Sequence, residues 1–88
     1  MKHASNGAPI LGYTSDGDPI VPAYRNTKFK DNDLLVVRHC PFCGGKHVHG
    51  GCGKNKRFGY GNGHRVPECL PGDGKQYFVK EVREVRDE

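Results

Sequence analysis

The sequence predicts a small β-rich domain with few short strands and a long glycine-rich loop, too poor in apolar residues to hold itself together unaided. Three observations lead there. Only 34% of the 88 residues are hydrophobic, and Leu, Ile, Val and Phe together number 18. That is the low edge of what a self-sufficient core needs, and domains of this size commonly recruit a staple. A β-branched run leads directly into a Cys-x-x-Cys pair. Eight of the 13 glycines fall in the 20 residues between Cys43 and His64, a composition that favours neither helix nor strand.

Taken in order, the chain reads as a single domain, 1–88, without internal repeats. Residues 1–33 form an N-terminal hairpin or arm. Ile10-Leu11-Gly12-Tyr13 and Ile20-Val21 flank the turn-rich Ser15-Asp16-Gly17-Asp18-Pro19, and Asp-Gly between apolar runs is a turn signal. Pro19 and Pro22 lack the N–H that a ladder needs, which predicts a sheet-edge position for the returning arm. Residues 34–70 form the central section, opened by the strand-like Leu34-Leu35-Val36-Val37-Arg38-His39. Residues 75–82 read as a C-terminal strand, since aromatic and Val residues follow the breakers Pro71, Gly72 and Gly74. Phe78, Val82 and Val85 also fit a helical stripe. The charged residues 83–88 form a solvated tail.

Four cysteines make two disulfides in an oxidising compartment or one tetrahedral metal site in a reducing one. Met1 to Gly7 runs into Pro9 and Gly12 without the apolar core of a signal peptide, and no segment is long enough to span a membrane. A cytoplasmic location is therefore expected, where thiols favour metal. Cys40 and Cys43, two residues apart, can aim both sulfurs at one zinc ion, with Gly44 permitting the tight turn that follows. The fold class becomes a metal-stapled, zinc-ribbon or knuckle-like β domain.

The other two ligands have several candidates. His64 and Cys69 complete a three-sulfur, one-nitrogen site, and this choice ties the central section to the last strand. Cys40-x2-Cys43-x3-His47-x4-Cys52 is a local alternative, similar to a retroviral-type knuckle but one residue short before the histidine. His49 can replace His64 in a third arrangement. Cys52 and Cys69 also read as thiols packed like small hydrophobes, and His47 and His49 as residues flanking the site. Phe42 reads as a packing residue.

Cys40-Pro41-Phe42-Cys43-Gly44, His47-Val48-His49-Gly50 and Gly63-His64-Arg65-Val66-Pro67-Glu68-Cys69 resemble the motifs of short zinc-ribbon-like proteins of actinobacteria and their phages. The resemblance takes in Ile10 to Thr14 and Lys75 to Val82, so it covers most of the chain. Gly51 to Asn62 is an insertion, which supplies Cys52, Lys54, Lys56 and Arg57. The resemblance implies one structural zinc, a phage-type origin in a bacterial cytoplasm, and Cys69 rather than Cys52 as ligand. It implies no activity.

Net charge is +4, but residues 34–66 carry six basic and no acidic side chains. A closed Cys3His site has no open position for water, so an enzyme is not expected. The leading expectation is nucleic-acid binding through Lys46, Lys54, Lys56, Arg57, Phe58, Tyr60 and Arg65, cations for phosphate interleaved with rings for bases on a pliable loop. A protein-interaction module, adaptor or inhibitor of a host protein, is the alternative. A glutaredoxin-like thiol–disulfide oxidoreductase is a third reading of Cys40-Pro41-Phe42-Cys43, but Gly44 to Gly51 is unsuited to the helix that such a site requires. No membrane or small-molecule substrate is expected.

Overall fold

The computed structural model describes residues 2–28, 30–69 and 75–83. Among them there is no helix, and so none long and apolar enough to cross a membrane. Strands β1 (Lys2–His3) and β2 (Pro9–Ile10) pair antiparallel as a short ribbon. The remaining strands are β3 (Gly12–Tyr13), β4 (Pro19–Asn26), β5 (Asp33–Val37), β6 (His47–Gly53), β7 (Gly63–Arg65) and β8 (Tyr77–Glu81). They build one sheet in the order β6-β5-β4-β8-β7, with β3 also paired to β4. All neighbours are antiparallel except β4 and β8, which run parallel with Val21 opposite Val79.

The expected hairpin forms between β3 and β4, with Thr14 N–H donating to Asp18 O at 2.9 Å and Asp18 N–H to Thr14 Oγ1 at 3.1 Å. Its returning arm is not at an edge. β4 lies in the middle of the sheet, and the prolines are accommodated by a gap in its pairing. On one flank β3 pairs only with residues 19–20 and β5 only with 24–26. Ile20 O accepts from Leu11 on that flank, and Ala23 O accepts from Val82 on the β8 flank. Alternation therefore turns the nitrogen of Pro22 into the gap, where no ladder donor is needed.

β5 and β8 fall where the sequence places strands, and each alternates buried and less buried positions. Their inward residues Leu35, Val37, Tyr77 and Val79 meet Val21, Ala23, Cys40 and Cys52 in the core, with Phe42 and Cys69 packed against it. A core that includes two cysteines and an alanine among so few members explains why composition alone suggested a staple.

The glycine-rich segment departs from expectation, since residues 47–53 form a strand. The free flank of β5 supplies the ladder that the glycines cannot earn by propensity, and β6 pairs along it with Val37 opposite His47 and Leu35 opposite His49. The following loop lies on the core at Gly61. A Cβ there would come within 2.8 Å of Leu35 Cδ1 and 3.2 Å of Cys52 Cα, so only glycine lets the backbone approach so closely. The breakers at 71–74 and the tail beyond Arg83, with Val85, lie outside the described residues.

Candidate metal centre

β5 delivers the chain through Arg38 and His39 into a tight turn around the first cysteine pair. Gly44 N–H donates to Cys40 O at 2.8 Å, and Cys40 N–H to Gly45 O at 2.9 Å. Gly44 sits at φ +80°, a conformation that costs glycine little. The turn aims two backbone donors at sulfur: Phe42 N–H at Cys40 Sγ and Gly45 N–H at Cys43 Sγ, both at 3.3 Å. Such donors favour the thiolate form that a metal ligand needs. Two further contacts fix the turn to the body. Phe42 stacks on Tyr77 of β8 with ring centroids 6.0 Å apart, and Asn6 Nδ2 donates to Cys40 O at 2.9 Å.

The sulfurs of Cys40, Cys43 and Cys69 and a ring nitrogen of His47 all lie within 4.8 Å of one another. Cys40 Sγ and Cys69 Sγ are 3.8 Å apart, and Cys43 Sγ lies 3.3 Å from His47 Nε2. For a tetrahedral ion about 2.3 Å from sulfur and about 2.0 Å from nitrogen, the corresponding separations are about 3.8 and 3.5 Å. All four cysteines are free thiols. The cluster's electrostatics favour a cation: the Gly45 N–H, then His47, pull Cys43 down to about 7. Burial, then the Cys43 and Cys40 sulfurs, push Cys69 up to about 12. Three thiols this close cannot all ionise cheaply by themselves, and a divalent ion removes that conflict.

The nitrogen donor in this group is His47, not His64. The β7–β8 register sets His64 opposite Phe78, on the face away from buried Tyr77 and the thiols. There its ring meets Phe78 edge-on at 5.3 Å, and Nε2 lies 3.3 Å from Asp18 Oδ2. His47, opposite inward-facing Val37, starts β6 on the side of the thiols. His49 is half-buried and directs Nε2 to Tyr77 Oη at 2.6 Å, with burial foremost in lowering its pKa. Cys52 is fully buried in the core. His47→Ala is therefore expected to lower metal affinity at least tenfold, while His64→Ala and Cys52→Ala leave one ion per chain. Competition with a chromogenic chelator measures all three.

No family model, curated protein or solved structure matches the chain. Assignment therefore rests on the residues themselves.

The basic residues named from sequence are used in different ways. Lys54 Nζ lies 3.0 Å from Asp33 Oδ1 and donates to Thr27 O at 2.9 Å. Arg65 donates to the carbonyls of Gly61, His64 and Gly50. Both are thereby tied into the fold. Lys56, Arg57, Phe58 and Tyr60 are exposed, with the Lys56 and Arg57 cations 5.5 and 5.9 Å from the Tyr60 ring centre. Lys46 stands apart, immediately before β6.

The loop that carries them is pinned rather than draped. Arg25 of β4 donates to Lys56 O at 2.7 Å and Arg57 O at 3.0 Å. It also grips Glu81 through two 2.9 Å bonds, and Glu81 Oε1 accepts from Gly59 N–H at 2.9 Å. Sequence reading missed Arg25, Asn6 and Tyr77, because each acts across more than 25 residues of chain separation.

Proposed function

We propose that Cys40, Cys43, His47 and Cys69 bind one zinc ion that completes the fold, and that the resulting domain binds nucleic acid. The observation that carries the metal assignment is the convergence of four ligand atoms within 4.8 Å on a turn whose backbone donors face two of the sulfurs. Three thiolates and an imidazole suit zinc better than the hard, oxygen-seeking cations. Four protein ligands leave no position for water or substrate, which assigns the ion a structural rather than catalytic role. The oxidoreductase reading lacks support, because residues 41–45 form a turn and no described helix begins at Cys40.

Nucleic-acid binding is supported by the presentation of Lys56, Arg57, Phe58 and Tyr60, exposed on a loop whose backbone Arg25 and Glu81 hold in place. Holding the backbone lowers the ordering cost of binding. The resemblance to short actinobacterial and phage proteins extends the proposal to a phage-type accessory factor. In an anisotropy titration at low salt, the zinc-loaded chain should bind labelled oligonucleotides. Affinity should fall steeply with salt, and Lys56→Gln with Arg57→Gln should flatten the log–log slope by roughly two. A wild-type protein that binds nothing at low salt overturns this reading in favour of a protein partner.

A further inference from the structure

The face of the sheet opposite the core carries a second set of cations and rings, which the loop does not include. Register places Tyr24 opposite Val36 and Val36 opposite Val48, giving an apolar row on a surface open to solvent, with Val48 49% exposed. Arg38 and Lys46 lie just beyond the ends of β5 and β6 and border the same groove as Tyr24 and Val36.

Tyr24, Val36, Arg38 and Lys46 line a groove of about 550 Å³ that also takes in Lys28. None of the described residues lining it is acidic. The Arg38 guanidinium lies over the Tyr24 ring, 3.9 Å from its centre. A second groove, of about 380 Å³, meets the first at Tyr24 and Arg25 and continues past Phe58 and Arg83. Here again an arginine covers a ring, with Arg83 4.6 Å from the centre of Phe58. The carboxylate of Glu81 borders this second groove, already engaged by Arg25.

We infer that a single strand of nucleic acid lies along these joined grooves, its bases stacking at the Tyr24–Arg38 and Phe58–Arg83 pairs and its phosphates meeting Lys28, Arg38 and Lys46. The inference rests on the nucleic-acid reading above and gives it a path. Rings and guanidinium planes both offer stacking faces to bases, and alternating them with ammonium groups matches the alternation of base and phosphate. An acidic peptide would use the cations but has no use for the rings. A duplex hides its base faces and would leave the rings idle. The grooves also connect two regions otherwise separate in the fold, the start of β6 beside the metal and the pinned loop.

Anisotropy titrations of the zinc-loaded full chain with labelled oligothymidylate and oligouridylate at low salt test the path. Arg38→Gln and Tyr24→Leu should each weaken binding roughly tenfold, Tyr24→Phe should retain it, and Lys46→Gln should lower the salt slope by about one. A loss shared by both oligomers supports recognition of the common base-and-phosphate chemistry, and a loss in one supports the same path with the sugar also read. Metal content and circular dichroism establish that each variant is folded. Exposed Arg38 keeps the test decisive if Tyr24→Leu loses its metal. Undiminished binding by folded Arg38→Gln, with Lys56→Gln and Arg57→Gln weakened, overturns the groove and leaves the loop reading standing. A wild-type chain that binds neither oligomer overturns both. Binding of labelled polyglutamate as tight as that of the oligomers overturns the choice of nucleic acid.

Discussion

Removing the metal with a strong chelator is expected to unfold the domain, and Cys40→Ser to prevent folding at all. Cys40 is fully buried and belongs to the core. Through its turn the β1–β2 ribbon is tied by Asn6, β8 by the Phe42–Tyr77 stack, and β6 by His47. Cys69 adds the chain beyond β7. Losing the ion would leave three sulfurs clustered without a counter-charge and release His47 and Cys69 from the turn, so β6 and the chain beyond β7 would lose their common anchor. Apparent binding free energies of structural zinc, about 10–16 kcal/mol, match or exceed the roughly 5–15 kcal/mol that holds a typical domain together. Circular dichroism should lose its β signal on chelation and regain it on adding zinc, and native mass spectrometry should count one ion per chain. A reduced, metal-free sample that melts cooperatively at the same temperature would end the proposal.

Arg25→Met is expected to cost on the order of 3 kcal/mol, as typical for removing one partner of a buried ion pair. Glu81 is 5% exposed and receives two guanidinium bonds. Burial alone would raise its pKa, but the Arg25 hydrogen bonds, with help from Gly59 N–H, hold it below the ordinary carboxylate value. Asp33 is likewise held low, chiefly by its hydrogen bond from Lys54. A carboxyl depressed in the folded state contributes stability above its unfolded pKa, which is about 4, and loses it as pH falls through the folded value. In Arg25→Met, burial acts on Glu81 with less opposition, its pKa rises, and that contribution reverses sign. Urea midpoints should therefore fall with acidification in the wild type and change less, or rise, in the variant. The double variant Arg25→Met with Glu81→Gln should recover part of the loss, because no buried charge remains unpaired.

What the sequence disclosed was local. The Cys40 to Gly44 turn, the strand leading into it and the strand at 77–81 each depend on residues within a few positions of one another, so composition and spacing reveal them. The choice between His47 and His64 depends on which face of the sheet each occupies. That is set by pairing with Val37 in one case and with Phe78 in the other, and no spacing rule carries it. β6 was hidden because glycine has no strand preference of its own, and its ladder comes from β5. The basic segment looked uniformly positive because Asp33, which pairs with Lys54, lies outside it in the chain. Pro19 and Pro22 pointed to an edge by a sound rule, since the gap between β3 and β5 is visible only in three dimensions.

The parallel pairing of β4 with β8 has a consequence for how the protein is made. Until residues 77–81 have been synthesised, one flank of β4 lacks its neighbour, and Val21 and Ala23 lack the part of the core that Tyr77 and Val79 supply. Cys40 and Cys43 can capture an ion early, but Cys69 is translated much later. The nascent chain thus emerges from the ribosome with three of the four candidate ligands, Cys40, Cys43 and His47, and an open sheet flank, and productive collapse is expected to await completion of β8.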